Sequence, residues 1–226
     1  MWPRSPAQLI ELQTELARRR PAPWRPPASR PLTAGCFVCF ERGLPGRGRA
    51  GEPGWAAAAL MRGSSGMLAT AVVRGEAGWP YEPGLLALRE GALLEAAVRA
   101  LPEMPDVLIV NASGRDHPRG AGLALQLGAV LELPSIGVTD RPLLAAGPPS
   151  GPERGATAPL VLEGREVARW VRTRAGARPV TVHAAWRSDP ETAVAIARLA
   201  TRRARTPEPL RRARMAARRA RAEAGV

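Results

Sequence analysis

The segment VLIVNASGRDHPRG, residues 107–120, is the part of the sequence that most clearly indicates the fold. Four apolar residues, Val107 to Val110, are followed directly by Asn111 and then by a polar loop that contains His117. A buried strand that ends in polar residues at a loop is where α/β proteins commonly place their chemistry. The residue at this strand end is an amide rather than a carboxylate, which raises the question of whether that chemistry is retained.

Three apolar, strand-like segments precede residues 107–110, and their turn and spacing predict an antiparallel meander. The strand–helix–strand alternation that follows predicts parallel pairing. This is the order of a ribonuclease H-like domain, so we predict an α/β fold with a mixed sheet flanked by helices. The predicted strands are 34–40, 55–61, 67–73, 107–110, 135–138, 160–162, 167–172 and 179–182, and the predicted helices include 83–101, 123–131 and 189–199.

Local composition divides the chain into four predicted segments. Ser5 and Pro6 form a favourable helix start, and leucines recur after it at helical spacing. Five prolines follow within 21–31 and predict an extended connector, while nine arginines lie between positions 202 and 221. We therefore predict an N-terminal helix (1–20), a proline-rich connector (21–31), a ribonuclease H-like domain (32–201) and an arginine-rich C-terminal helix or tail (202–226).

The formal net charge of +13 is carried by arginine, because the 226-residue chain contains no lysine. Such an excess of positive charge favours an anionic partner, with nucleic acid as the first candidate. The alternative is a GC-driven composition that replaces lysine with arginine. That alternative explains the missing lysine better than it explains the net excess of positive charge.

Composition also indicates the class of protein. Apolar residues make up 45% and charged residues 23% of the chain, as in a globular domain. No apolar run reaches the roughly 18 residues of a membrane helix, and the N-terminal segment lacks the features of a signal peptide. We expect a soluble, cytoplasmic protein without membrane contact, with a monomer as the default state.

Cys36 and Cys39 have C-x-x-C spacing within a strand-like apolar segment. Residues i and i+3 of a strand point to opposite faces of a sheet, so these two thiolates cannot share a metal ion. No second pair of cysteines or histidines stands at zinc-finger spacing. We therefore predict two buried, unpaired thiols.

Several sequence blocks occur in the order found in a known nuclease family. PYEPG at 80–84 leads into Arg89-Glu90-Gly91, and HPR at 117–119 is followed by Gly122. PSIGV at 134–138 and PEP at 207–209 come later in the chain. These blocks are similar to the motifs P-Y-x-P-G-x-L-x-F-R-E, H-P-R-x-x-G, P-T-I-G-V and P-E-P-x-R of endonuclease V, so the sequence resembles that family over most of its length.

The resemblance implies magnesium-dependent hydrolysis of a phosphodiester near a deaminated adenine in DNA, or near inosine in RNA. Magnesium requires hard oxygen ligands, which three acidic positions supply in the family. Glu90 matches the acidic position on the helix. Phe37 and Asn111 replace the two acidic strand positions, Asp140 stands near the family's lysine position, and Trp186 stands at its late histidine position.

These substitutions predict a large loss of metal affinity. A phenyl ring offers no ligand atom, and an amide oxygen offers one without negative charge. Each lost unit interaction at about 4 Å is worth roughly 4 kcal/mol before solvation offsets it. We therefore expect at most one magnesium ion, held weakly by Glu90 and Asn111.

Other polar residues could compensate for the lost carboxylates. The catalytic candidates are Glu90, His117 and Asp116, and in this interpretation Asp116 and Asp140 take metal or base roles. In the alternative interpretation, Asp116 is a solvated loop residue and Asp140 is a cap or an arginine partner. Arg89 either contacts phosphate or pairs with an acid to hold its helix.

The loop at 80–84 and the loop after residue 111 supply the predicted nucleic-acid contacts. Tyr81 matches the aromatic residue of the family's wedge, which is pushed into the duplex beside the modified base. The alternative is that Tyr81 packs over the following helix. Gly114 either lets the backbone approach a base or serves a tight turn. Arg119 is a better candidate for phosphate binding than Arg89, because it lies on the loop beside His117. The nucleic-acid-binding candidates are Pro80, Tyr81, Pro83, Gly84, Gly114 and Arg119.

Three functional hypotheses follow. The first is a nucleic-acid-binding protein of the DNA-repair type that recognises deaminated or distorted nucleic acid and has weak or no cleavage. The second is an active one-metal endonuclease that uses Glu90, Asn111, His117 and Asp116. The third is a non-catalytic protein-interaction module that uses the same cleft.

Overall fold

The computed structural model describes residues 2–27, 30–43 and 46–225, which form a sheet of eight strands and five helices. The strands are β1 (Leu32–Phe40), β2 (Pro53–Arg62), β3 (Gly66–Glu76), β4 (Val107–Val110), β5 (Ser135–Thr139), β6 (Thr157–Leu162), β7 (Arg165–Val171) and β8 (Val180–Ala184). The helices are α1 (Pro6–Arg18), α2 (Leu86–Arg99), α3 (Leu123–Leu131), α4 (Pro190–Leu199) and α5 (Glu208–Glu223).

The sheet has the strand order β3-β2-β1-β4-β5-β8-β7-β6. Strands β1, β2 and β3 form the predicted antiparallel meander. Strand β1 pairs in parallel with β4, and β4 pairs in parallel with β5, because helices α2 and α3 provide the crossover connections. The predicted mixed α/β fold is therefore confirmed.

Helices cover both faces of the sheet. Residues of α1, α2 and α3 share one apolar core with one side of the central strands, and residues of α4 and α5 share a second core on the other side. Cys36 belongs to the first core and Cys39 to the second, so the two thiols lie on opposite faces as predicted. Burial raises the pKa of Cys36 to about 12, which makes this thiol unreactive at neutral pH.

The arginine-rich helix α5 packs directly against β1 and β2. Leu210, Ala213 and Ala217 are completely buried against the sheet. The backbone of α5 approaches β1 so closely that a Cβ atom on Gly35 would lie 2.0 Å from the carbonyl carbon of Pro209. The helix therefore forms part of a core layer, and its arginines project from the remaining sides.

Two helices begin at side-chain caps that the sequence indicates. The Ser5 hydroxyl accepts a hydrogen bond from the backbone of Gln8 at the start of α1, and the Asp189 carboxylate accepts one from Thr192 at the start of α4. Among the described residues, no helix combines the length and apolar character needed to cross a lipid bilayer.

Candidate nucleic-acid site

The adjacent ends of β1 and β4 bring positions 37 and 111 together. Cys36 is paired with Val110, and the backbone N–H of Asn111 donates to the Cys36 carbonyl at 3.2 Å. The Phe37 side chain is buried on the α5 face of the sheet. The two positions that the family resemblance assigns to strand carboxylates are therefore neighbours, as a shared site requires.

An arginine from α5 contacts both of these positions. Nη2 of Arg214 donates to Oδ1 of Asn111 at 3.0 Å, and its guanidinium carbon lies 5.3 Å from the centre of the Phe37 ring. The guanidinium carbon of Arg218 lies 5.7 Å from the same ring. A cation over an aromatic face is attracted by the ring quadrupole, so Phe37 favours positive charge at this point without coordinating it.

Glu90 lies on α2 and is the remaining carboxylate of the three family positions. Part of the residue is accessible, but its carboxyl group is desolvated. Desolvation raises the pKa of Glu90 to about 8, and the neighbouring Arg89 lowers it by a smaller amount. Burial therefore disfavours the charged form of this carboxyl group in the absence of a cation.

The residues present do not fit a family-type magnesium centre. Phe37 has no donor atom, and the oxygen of Asn111 already accepts a hydrogen bond from a cationic side chain. Across the described ranges, no group of three or more histidine, cysteine, aspartate or glutamate residues could hold a metal ion. Magnesium needs several hard oxygens in an octahedral shell, and this set does not provide them.

Asp116 is fully buried and has a structural role. Its carboxylate accepts hydrogen bonds from the backbone N–H groups of Leu143, Leu144 and Ala145 at 2.7, 2.8 and 2.8 Å. Nδ1 of His183, also fully buried, lies 3.6 Å away. The expectation of a solvated loop residue is wrong, because the carboxylate is buried and three backbone N–H groups use most of its acceptor capacity.

Asp140 and Trp186 differ in environment. Asp140 forms an exposed ion pair with Arg205, which agrees with the interpretation of this aspartate as an arginine partner. Trp186 is buried, and the guanidinium carbon of Arg19 lies 4.9 Å from its ring centre.

Arg89 pairs with an acid, the buried Glu52, and it donates to the Trp79 carbonyl at 2.9 Å. These contacts are structural.

A pocket of about 220 Å³ opens between the loop at 81–84, the end of β4 and the segment after β5. Tyr81 stands at this pocket with 46% of its surface exposed, so it does not pack fully over the following helix. His117 and Asn111 contribute to the wall. The lining also includes Gln13, Glu82, Pro83, Gly84, Leu86, Ala87, Ala112, Ser113, Leu123, Gln126, Thr139, Arg141, Pro142 and Leu143.

Hydrogen bonds from Arg119 and Gln13 support the loop that carries Tyr81. The Gly84 carbonyl accepts a hydrogen bond from Nη2 of Arg119 at 2.8 Å and another from Nε2 of Gln13 at 3.0 Å. Gly84 has φ +79°, a left-handed conformation that favours glycine. Arg119 therefore positions the loop through its side chain, and no sequence pattern singles out Gln13 because it comes from the distant helix α1.

His117 lies beside this loop and is largely buried. Its Nδ1 accepts a hydrogen bond from the backbone of Arg119 at 3.2 Å. Burial, and to a lesser extent the charge of Arg119, lower the pKa of His117 to about 4. The imidazole is thus neutral at pH 7, so it can form hydrogen bonds in the pocket without carrying charge.

Gln126 is a fully buried polar residue in the apolar helix α3 and lines the pocket. Its Nε2 donates to the Ala121 carbonyl at 2.9 Å, which determines the orientation of the amide. Oε1 has no hydrogen-bond partner within the described residues. The sequence signal was one glutamine in LALQLGAVL, where a pocket contact could not be distinguished from ordinary core packing.

Gly114 permits close backbone packing. A Cβ atom at this position would lie 2.1 Å from the carbonyl oxygen of Ala184. This contact supports the interpretation of Gly114 as a packing residue and provides a reason for glycine that requires no bound base.

A broad groove of about 650 Å³ adjoins the pocket at His117, which lines both. Its lining includes five arginines and one glutamate: Arg18, Arg20, Arg115, Arg119, Arg165 and Glu163. Burial, together with the charge of Arg20, lowers the pKa of Arg115 to about 10. Closely spaced like charges of this kind favour an anion in the groove.

Comparison with known proteins identifies the family and supports the fold. The profile of the family "Endonuclease V" matches residues 40–215. The chain belongs to the endonuclease V family. It is 36% identical over 220 residues to the endonuclease V of Azotobacter vinelandii, covering 97% of this chain and 96% of that protein. It is 43% identical over 157 residues to the endonuclease V of Thermus thermophilus, covering 68% and 69%.

Solved endonuclease V structures have the same fold. The Streptomyces avermitilis enzyme superposes with a TM-score of 0.88 at 34% identity, covering 100% of this chain and 96% of that one. The Ciona intestinalis endonuclease V, solved with DNA containing an inosine, superposes with a TM-score of 0.80 at 18% identity, covering 96% and 98%. The match to the family profile begins at residue 40, three residues after Phe37, and its range covers the positions of Tyr81, Glu90 and Asn111.

Proposed function

We propose that this chain is a nucleic-acid-binding member of the endonuclease V family that recognises inosine-containing or distorted nucleic acid, with weak or absent phosphodiester cleavage. The observation that carries this proposal is the pocket beside Tyr81. Gln126 lines this pocket, and its buried Oε1 atom has no hydrogen-bond partner within the described residues. At about 220 Å³ it is smaller than the roughly 300–1,000 Å³ of pockets for drug-sized ligands, and it suits one flat ring system.

The chemistry of the pocket supports a deaminated purine as the bound base. Hypoxanthine carries a hydrogen on ring nitrogen N1, whereas adenine has a lone pair there. The Gln126 Oε1 atom can only accept a hydrogen bond, so it favours the N1–H of hypoxanthine and disfavours adenine. A buried acceptor that finds its partner only in the correct base is an effective source of discrimination.

Tyr81 supports extraction of that base from a stack. An exposed aromatic ring at the mouth of a base-sized pocket can occupy the gap that a flipped nucleotide leaves. Its loop is anchored by hydrogen bonds to the Gly84 carbonyl, so the ring is presented on a supported backbone. The Ciona intestinalis relative, solved with inosine-containing DNA, binds the ligand class that we propose.

Weak or absent cleavage follows from the ligand set. Metal-assisted phosphodiester hydrolysis requires ions that activate water and stabilise the leaving oxygen. Phe37 and Asn111 supply no negative charge, and the Asp116 oxygens are committed to backbone N–H groups. We therefore propose that magnesium is not a functional cofactor of this chain.

The test uses single-stranded oligonucleotides that differ only in one deoxyinosine or deoxyadenosine. We expect salt-dependent binding with a preference for inosine, and no cleavage in magnesium or manganese beyond that of a Glu90→Gln control. Cleavage that Glu90→Gln abolishes would instead support a one-metal endonuclease. Absence of binding to any DNA or RNA at low salt would leave the protein-interaction hypothesis.

A further inference from the structure

We propose that Arg214, together with Arg218, forms a metal-independent phosphate site at positions 37 and 111, where the guanidinium is the resident cation. The ligand is a backbone phosphate of the nucleic acid, so the inference rests on the proposed function. Such a site would allow a cleft that lacks two of its three carboxylates to bind the backbone phosphate that metal ions would otherwise contact.

Arg214 lies at both replaced carboxylate positions. Its guanidinium contacts Asn111 by a hydrogen bond and Phe37 through the ring face, which are the two replaced carboxylate positions. A cation that approaches these positions therefore meets a charge of the same sign. The aromatic ring and the amide each stabilise a guanidinium, whereas neither side chain provides the charged oxygens that a divalent ion requires.

The guanidinium of Arg214 has unsatisfied hydrogen-bonding capacity. Arg214 uses one N–H on Asn111, and a guanidinium has five. Its Nε is buried and has no partner within the described residues. A buried, unpaired donor of a charged group is costly, so a bound anion would recover free energy at this point. Arginine also matches phosphate geometry through paired N–H donors.

The positive charges of Arg214 and Arg218 are not paired with carboxylates in the part of the chain that the structure describes. The nearby Asp140 carboxylate also acts on Arg214, but it is already paired with Arg205. Two guanidinium groups therefore share one ring without a carboxylate between them.

Asn111 links Arg214 to the base pocket, because it lines that pocket and also binds Arg214. We expect a nucleotide whose base enters beside Tyr81 to place a backbone phosphate against the guanidinium. One residue thus connects recognition of the base with recognition of the backbone.

Helix α5 offers a matched control. Arg212 is exposed, forms no hydrogen bond or ion pair within the described residues, and lies two positions before Arg214. Two positions correspond to a rotation of about 200° around a helix, so the two side chains point in different directions. Arg212→Gln and Arg214→Gln make the same change in charge on the same helix.

The experiment measures binding of a fluorescent inosine-containing oligonucleotide in EDTA over a range of salt concentrations. We expect wild-type binding to persist in EDTA, and Arg214→Gln to weaken it roughly tenfold and reduce the salt slope by about one. Arg212→Gln should have a much smaller effect. Equal effects of the two variants would overturn the phosphate site and leave the proposed function intact. Binding that requires magnesium would overturn the phosphate site and also the proposal that magnesium is not a functional cofactor.

A second measurement applies if the wild-type protein binds no oligonucleotide, which contradicts the proposed function. Thermal unfolding is then compared in inorganic phosphate and in chloride at equal ionic strength. The phosphate site predicts that phosphate raises the melting temperature of wild type and Arg212→Gln but not of Arg214→Gln. Absence of this difference between the variants overturns the inference, and circular dichroism establishes that each variant is folded.

Discussion

Gln126 illustrates at the residue scale how a single buried acceptor can define specificity. Its amide is oriented by the Ala121 carbonyl, and its Oε1 has no partner within the described residues. Leaving a buried acceptor unpaired costs about 1–3 kcal/mol. The pocket therefore carries a free-energy cost, which a ligand can remove by donating a hydrogen bond from a ring N–H to Oε1.

Gln126→Leu removes this acceptor and keeps a side chain of similar length. We expect the preference for inosine over adenosine to fall by about 1 kcal/mol, or roughly fivefold, because the variant no longer distinguishes a ring N–H from a lone pair. Competition binding with the two oligonucleotides measures the ratio within one protein, so general losses of affinity cancel. An unchanged ratio would exclude Gln126 as the discriminating group.

The sequence reveals the replaced ligands but not the residue that contacts them. Phe37 and Asn111 are identified from local motifs in which one position departs from the family pattern. Arg214 is 103 residues from Asn111 in the chain, within a run of arginines that all have the same local character. Only the packing of the helix against β1 distinguishes Arg214 from its neighbours.

Helix α5 determines at the element scale where the arginine cluster lies. The alanine-rich composition predicts a helix, and the structure adds that Ala213 and Ala217 are fully buried on β1 and β2. The close approach depends on Gly35, because a side chain there would meet the backbone of Pro209 and Leu210. Backbone atoms cannot rotate away as a flexible side chain can.

Gly35→Ala should therefore displace α5 from the sheet. We expect the free energy of unfolding to fall by about 3 kcal/mol, the upper end of the usual cost of overpacking. Urea unfolding measures this loss, with Thr70→Ala on the exposed side of β3 as a control for a substitution that meets no core residue. A Gly35→Ala protein as stable as wild type would show that α5 is not packed this closely.

The order of elements was predictable because each has a strong local signal. Apolar runs of strand length identify β1 to β5. Capping residues and prolines identify where the helices begin and end. The extension of the sheet through β8, β7 and β6 was not predictable, since pairing between distant strands depends on long-range packing that no local pattern encodes.

Protonation of buried histidines affects the stability of the whole molecule. Both histidines of the chain are buried. His183 bonds Thr139 at 2.7 Å and faces Asp116, and burial lowers its pKa to about 4 while Asp116 raises it by less. Between about pH 6.5 and 4 the unfolded chain binds a proton at His183 that the folded chain does not, so stability must fall as the pH falls through this window.

His183→Gln retains a hydrogen-bonding group and removes the titration. We expect wild type to lose up to about 3 kcal/mol more than the variant between pH 6.5 and pH 4. Urea unfolding at a series of pH values measures this difference. The comparison between proteins is essential because the raised pKa of Glu90 acts in the opposite direction. Parallel stability curves would contradict the buried neutral histidine.

The central claim is that an arginine occupies the place where divalent ions would bind. Manganese titration followed by electron paramagnetic resonance tests it in wild type, in Phe37→Asp/Asn111→Asp, and in the same double variant with Arg214→Ala. We predict no specific manganese binding by wild type, little gain in the double variant because its new carboxylates pair with Arg214, and clear binding by the triple variant. Tight manganese binding by wild type that Glu90→Gln abolishes would contradict the account.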